Sequence, residues 1–192
     1  MKNLKEIIEK HMKGKRVLFL FILTNLVYAF MLIITIPKTM NFSNGMKLLD
    51  MMPTGYDLDY VNKLFETLGE KGREIYLFNQ IPIDMIYPFL FGLSYCLVFA
   101  FLLKKLDKFD TPYFYLSLLP IVAGVADYLE NFGIISMLNS FPDLSQIVVR
   151  ITNSFTIIKS ISTTIYFIGL IVFLIIMGIR ILNKRKISVN NN

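Results

Sequence analysis

The sequence has no tryptophan, one cysteine and one histidine, and these shortages exclude several kinds of chemistry. Cys96 alone cannot form an intramolecular disulfide or a thiol–disulfide relay, both of which need a second cysteine. His11 precedes the first long apolar stretch, which excludes histidine-based metal sites and histidine-dependent nucleophilic catalysis. We therefore predict no cofactor and no metal site. A carboxylate-only Mg²⁺ or Ca²⁺ site remains open, but no ligand spacing indicates one.

The sequence is rich in apolar residues, which make up 55% of its 192 positions and give a mean hydropathy of +0.57. A helix needs about 20 apolar residues to span the hydrocarbon core of a bilayer. Stretches of about this length occur at 17–36, 83–103, 113–138 and 155–182. We predict an all-α, four-helix transmembrane bundle in a single integral membrane domain, residues 1–192. The first stretch is too long for a signal-peptide core and lacks a small-residue cleavage pattern, so we expect it to be retained.

The distribution of the 20 basic residues predicts the orientation of the bundle. Most of them precede the first span, lie between the second and third, or follow the fourth. The positive-inside rule then places both termini in the cytoplasm of a cell-membrane protein. The same distribution indicates membrane lipids, rather than nucleic acid, as partners. The residues concerned are Lys2, Lys5, Lys10, Lys13, Lys15, Arg16, Lys104, Lys105, Lys108, Arg180, Lys184, Arg185 and Lys186.

The first external loop, residues 37–80, is predicted to be structured and partly helical. Apolar residues recur at helical spacing after Asp57, which could cap the helix, as could Thr54, and Gly69 supplies a stop. A second helical segment then leads into span two through Pro82. Such an amphipathic loop lies either on the membrane interface or over the mouth of the bundle. The alternatives stay open from sequence alone.

Two further short helices are predicted outside the spans. Residues 1–16 carry apolar side chains at helical spacing with lysines on the other face, which is typical of a helix on the inner leaflet. In the loop after span three, Asp143 is placed to cap a short helix that leads to Arg150.

Charged residues occur inside the predicted spans, where each costs about 2.5–3.5 kcal/mol on insertion scales. Asp127, Glu130 and Asn131 are spaced i, i+3 and i+4 and therefore share one face of span three. Asp84 begins span two, and Lys159 lies in the unusually polar first half of span four. All of these positions fall in the external half of the bilayer. Their cost must be offset by a buried partner, a proton, a water-filled cavity or a ligand.

Two interpretations of this polar set remain open. One is a buried ion-pair network, in which Lys159, Arg150 or Arg73 neutralises the acids and fixes helix register. The other is an outward-open pocket that holds a ligand or carries out proton chemistry. No residue is assigned a catalytic role. The candidate ligand-binding residues are Asp84, Asp127, Glu130, Asn131, Arg73, Lys159, Tyr76 and Tyr87.

Three functions are compatible with these residues. The leading one is the binding of a lipid-like or small amphiphilic ligand, since carboxylates suit a cationic head group or amine. The second is an intramembrane enzyme that uses the paired carboxylates as general acid and base. The third is a non-catalytic membrane subunit whose polar seam is structural. An ion channel is disfavoured because the cytoplasmic half of the spans has no polar lining.

Three motifs resemble a pattern that recurs in small four-span prokaryotic membrane proteins of unassigned function. They are GxxGRxxY at Gly69–Tyr76, DxxYP at Asp84–Pro88 and DxxEN at Asp127–Asn131. The resemblance covers roughly residues 50–182 and implies the same four-helix architecture. It implies no activity. It draws attention to the motif residues Gly72, Arg73, Tyr76, Asp84, Tyr87, Pro88, Asp127, Glu130 and Asn131.

Overall fold

Every regular element in the described part of the chain is helical. The structure is a computed structural model that describes residues 2–190 and the side chains of residues 3–183. The side chains of Lys2, Lys184, Arg185 and Lys186 thus lie outside the described residues. The α-helices are α1 Lys2–His11, α2 Gly14–Phe30, α3 Ile36–Met40, α4 Leu58–Ile75, α5 Ile81–Asp84, α6 Tyr87–Lys105, α7 Leu119–Ser140 and α8 Gln146–Asn190. Shorter elements are the 3₁₀ helices Leu49–Met51 and Pro112–Leu118 and the π-helical turns Met31–Thr35 and Tyr76–Gln80.

Over the residues described by the structure, four segments are long and apolar enough to cross a membrane. Span one is Gly14–Met40, span two is Leu58–Lys105, span three is Pro112–Ser140 and span four is Gln146–Asn183. They pack together as a bundle, which confirms the predicted fold class of a multi-pass, all-α membrane protein. Span two is longer than the predicted 83–103 because the helical loop segment continues into it.

Span four also begins earlier than the predicted residue 155, and the predicted short helix before it is part of the same helix. The helix begins at Gln146, and the Ser145 carbonyl accepts the first hydrogen bond, from the Val149 amide at 3.1 Å. Asp143 lies too far before this start to cap the helix. The prediction of Asp143 as a cap was therefore wrong.

The loop of residues 37–80 folds over the mouth of the bundle, which was one of its two predicted positions. Asp57 caps α4, because its Oδ1 accepts a hydrogen bond from the Tyr60 amide at 2.8 Å. At Gly69 the backbone is non-helical, with a φ of +62° that glycine adopts readily, so the first helical segment ends there as predicted. The second predicted segment follows directly, in a different direction. The apolar face of α4 and the fully buried Leu48 and Leu49 pack on the ends of α7 and α8. We call residues 41–57 the lid.

The N-terminal helix packs against the opposite end of the bundle. Ile8 and Met12 are buried in the apolar cluster that α6 and the Pro112–Leu118 helix form. Lys5 Nζ lies 3.2 Å from Asp110 Oδ1, and Arg180 Nη2 lies 2.8 Å from Asp107 Oδ2. Both ends of the chain therefore flank the same turn between spans two and three. We call this the termini end and the opposite one the lid end.

The spans pack in sequence, with α2 on α6, α6 on α7 and α7 on α8. Two glycines let α6 and α7 approach closely. A Cβ atom at Gly124 would lie 2.7 Å from the Pro88 carbonyl oxygen, and one at Gly92 would lie 3.3 Å from the Pro120 carbonyl oxygen. Within the described residues, spans one and four do not pack closely against each other. A gap therefore remains between the first and the last span.

Candidate functional site

A polar layer separates two apolar clusters inside the bundle. The cluster at the termini end includes Phe91, Ala123 and Tyr166, and the cluster at the lid end includes Ile81 and Ile134. Between them, α5, α7 and α8 each contribute buried polar side chains. Helix α7 gives three of these because its i, i+3, i+4 spacing keeps them on one face. The members are Asp84, Asp127, Glu130, Asn131, Thr152, Thr156 and the largely buried Lys159.

Lys159 joins two of the acids to span four. Its Nζ lies 3.2 Å from Asp127 Oδ1 and also forms an ion pair with Glu130. Glu130 is fully buried, and its Oε1 accepts a hydrogen bond from Thr156 Oγ1 at 2.7 Å. Partners on α8 thus surround the Glu130 carboxylate, as buried charges require. This part of the site is the predicted ion-pair network, with Lys159 as its cation.

Asp84 lies outside that network. It is 4% exposed, at the break between α5 and α6. Asn131 Nδ2 donates to the Asp84 backbone carbonyl at 3.3 Å, and this hydrogen bond holds the helix break. Among the residues that the structure describes, Asp84 Oδ2 has no hydrogen-bond partner. A buried carboxylate oxygen without a partner is costly, and a site that retains one calls for an explanation.

A fourth acid, Asp50, reaches the site from the lid, and the sequence reasoning missed it. Asp50 Oδ1 accepts a hydrogen bond from the Tyr76 hydroxyl at 2.5 Å, and Oδ2 accepts one from Gln80 Nε2 at 3.5 Å. Gln80 Oε1 in turn accepts a hydrogen bond from Thr35 Oγ1 at 2.5 Å. The chain of contacts links the lid to both π-helical turns. Lys159 Nζ also lies 3.5 Å from the Asp50 backbone oxygen.

Tyr56 completes the contact between the lid and span four. Its backbone amide donates to Asn153 Oδ1 at 2.8 Å, and its hydroxyl lies 3.5 Å from Thr156 Oγ1. Burial raises the pKa of the Tyr56 hydroxyl above its ordinary value. The residue is therefore a neutral hydrogen-bonding group at physiological pH and adds no charge to the site.

A cavity of about 530 Å³ lies beside the polar layer, between spans one, two and four. Asp84, Asp127 and Lys159 line one wall. The lid residues Asp50 and Met51 line the end towards the lid. The cavity thus combines an acidic wall, to which span three contributes Asp127, with a cover made by the lid.

A row of aromatic side chains forms another part of the cavity lining. The rings of Tyr28 and Tyr87 stack with centroids 5.3 Å apart, and the Phe91 and Tyr95 centroids are 4.7 Å apart. Phe167 of span four contacts this row, with its centroid 5.7 Å from that of Tyr95. Positions 87, 91 and 95 follow one another at single-turn intervals along α6, so the spacing of a helix builds the row.

The cavity opens sideways, through the gap between spans one and four. Tyr28 and Leu32 on span one and Thr164 and Phe167 on span four all line the cavity and are all exposed on the outside of the bundle. This rim lies within the apolar length of both spans. In a bilayer, the opening therefore faces the acyl chains.

The structure brings together most of the predicted site residues in different roles. Asp84, Asp127, Lys159 and Tyr87 line the cavity. Glu130, Asn131 and Tyr76 lie behind the lining and hold other members in place.

Arg73 is not part of this site, and the prediction of Arg73 as a counter-charge is corrected. Its Nη1 donates to the Phe65 carbonyl oxygen at 2.8 Å, and its guanidinium lies 4.6 Å from the centroid of the Phe141 ring. The change of direction at Gly69 lets Arg73 reach back to the preceding turns of α4. Arg150 is exposed and supplies no counter-charge within the described residues.

Comparisons with protein-family models, curated proteins and solved structures each give no match to this chain. The resemblance to four-span prokaryotic membrane proteins therefore stays a prediction. In residues 2–190, no cluster of three or more His, Cys, Asp or Glu side chains has a geometry that could hold a metal ion.

Proposed function

We propose that this integral membrane protein binds a lipid-like or small amphiphilic molecule in the cavity between spans one, two and four. The observation that carries the proposal is a buried, unpartnered carboxylate oxygen of Asp84 beside a cavity that opens towards the acyl chains. The polar end of the ligand contacts the acidic wall, and its apolar part extends along the aromatic row to the opening.

The size of the cavity supports a ligand of this kind. Small-molecule sites have volumes of about 300–1,000 Å³, and a cavity of about 530 Å³ falls inside that range. The lining is mostly apolar and aromatic, with a few polar groups gathered on one wall, which is the usual composition of a ligand site. A molecule with one polar end and one apolar end matches both walls.

The two alternative functions account for fewer of the contacts. A structural seam explains Asp127, Glu130 and Lys159, which satisfy one another, but not the unpartnered oxygen of Asp84. Acid–base catalysis by the pair on α7 would need both carboxyls to reach a substrate. Glu130 is fully buried behind Lys159 and Thr156 and does not line the cavity, so ligand binding is favoured.

We also propose that the termini end faces the cytoplasm. Lysines and arginines concentrate there, on α1 and on the turn after α6, and this bias sets orientation in membrane proteins. The lid and the acidic wall then lie on the external side of the bilayer. The proposed ligand enters from the outer leaflet.

Native mass spectrometry of the purified protein tests the proposed function. We expect the wild-type protein to carry a bound small molecule, and Thr163→Phe to lose it because Thr163 lines the cavity. Ile161→Phe is the matched control, since Ile161 lies on the same helix, is exposed outside the bundle and should retain the ligand. A wild-type protein without any bound molecule, or equal retention by the two variants, would contradict the proposal.

A further inference from the structure

We infer that the bound amphiphile carries a positive charge, as a protonated amine or a quaternary ammonium group, and that this charge sits against Asp84 and Asp127. The inference rests on the proposed function and names the chemical class of its ligand. It excludes fatty acids and phosphate monoesters as preferred occupants.

The first support is the balance of charged groups around the cavity. Four carboxyl groups lie in or beside the polar layer, on Asp50, Asp84, Asp127 and Glu130. Lys159 is the one basic side chain that contacts them within the described residues, and it is shared between Asp127 and Glu130. One ammonium group cannot offset four ionised carboxylates, so each remaining acid must hold a proton or pair with another cation. A cationic ligand reduces the surplus of negative charge, whereas an anionic ligand increases it.

The second support is the location of the unpaired oxygen. Lys159 forms ion pairs with Asp127 and Glu130. Asp50 accepts hydrogen bonds from Tyr76 and Gln80. Among the described residues, four buried side-chain oxygens lack a hydrogen-bond partner, on Asp84, Ser94, Glu130 and Asn131, and Glu130 is paired with Lys159. Of these residues, Asp84 is the one that lines the cavity. It is therefore the acceptor available to a donor or a cation that enters from the membrane.

The third support is the row of aromatic side chains that lines the same cavity as the acids. The π-electron face of an aromatic ring attracts cations, and aromatic cages bind quaternary ammonium groups. Tyr87 lies three residues after Asp84, at the start of α6, and its ring stacks on that of Tyr28 at the rim of the cavity. A cation on its way to Asp84 passes these ring faces. A neutral or anionic head group would gain no such attraction.

A series of probes that share one chain tests the inference. Dodecyltrimethylammonium, dodecanol and laurate have linear alkyl chains of nearly equal length and a cationic, a neutral and an anionic head group, respectively. They are added, below micelle-forming concentrations, to the full chain in nanodiscs. We expect the ammonium probe to bind at least ten-fold more tightly than the alcohol, and laurate to bind most weakly. Equal affinity for all three would overturn the inference and leave the proposed function standing. Binding of none of them would overturn both.

Two variants test where the positive charge of the bound probe lies. We expect Asp84→Asn to weaken binding of the ammonium probe at least ten-fold and to leave the affinity for dodecanol unchanged. Asp143→Asn is the matched control, because Asp143 is an exposed acid at the same end of the bundle and should change neither affinity. If Asp84→Asn does not fold, Tyr87→Leu replaces it, and we expect this variant to lose affinity several-fold for the ammonium probe alone. If the variant that folds loses affinity for the ammonium probe and for dodecanol to the same extent, the proposed position of the charge is contradicted.

Discussion

The contribution of Lys159 to stability is the most direct consequence of the polar layer. Its Nζ lies 3.2 Å from Asp127 and pairs with Glu130, and the three side chains are 17%, 10% and 0% exposed. Two unit charges at 3.2 Å attract by roughly 5 kcal/mol at an effective dielectric constant of about 20. Removal of one partner from a buried pair costs about 3–5 kcal/mol, because a buried charge is left uncompensated. We expect Lys159→Met to lower the free energy of unfolding by about that amount.

A double-mutant cycle separates the ion pair from the loss of packing. Lys159→Met combined with Glu130→Gln removes both charges, and we expect it to be less destabilised than the sum of the single variants by at least about 1 kcal/mol. The measurement is reversible unfolding in mixed micelles, followed by circular dichroism. Lys63→Met, at an exposed lysine of α4, serves as control and should stay within about 0.5 kcal/mol of wild type. A cost below about 1 kcal/mol for Lys159→Met, or strictly additive variants, would refute the reasoning.

Two further predictions concern packing and orientation. Gly124→Val should lower the melting temperature by several degrees, because its Cβ would lie 2.7 Å from the Pro88 carbonyl oxygen. Gly178→Val is the control and should leave the melting temperature unchanged, because a Cβ there would meet no neighbouring element within 4 Å. Similar melting temperatures for the two variants would contradict this account of helix packing. In a background without the native cysteine, Asp143→Cys should react with a membrane-impermeant maleimide added to intact cells, and Lys10→Cys should react only after lysis. The reverse pattern would overturn the proposed orientation.

The sequence predicts those features of the fold that depend on neighbouring residues. Apolar length identifies the four spans, and helical spacing identifies the amphipathic α4 and the shared face of Asp127 and Glu130. Glycine also acts locally, because the sequence predicts a helix stop at Gly69 and the backbone has a positive φ there. These features depend on local sequence and not on which elements pack against them, so the sequence alone predicts them.

Features that depend on tertiary contacts could not be predicted in this way. Asp50 lies in a non-periodic stretch, and only its packing beneath α4 brings it to Tyr76. Arg73 follows the GxxG motif and was expected near the acids. The change of direction at Gly69 turns it towards Phe65 instead. The pattern therefore indicated which polar residues would be buried, but it did not indicate which lysine or arginine would reach them.

The route of access gives the strongest reason to expect an amphiphile rather than a water-soluble solute. The lid covers the end of the cavity, and its Leu48 and Leu49 are fully buried, so entry from the aqueous side requires the lid to open. Span one is fastened to span two at two depths, through Thr35 with Gln80 and through Thr24 Oγ1 with a backbone carbonyl of α6. Its other side is free of close packing with span four. The path that disturbs the fewest contacts therefore runs through the bilayer, and only a molecule that partitions into lipid can take it.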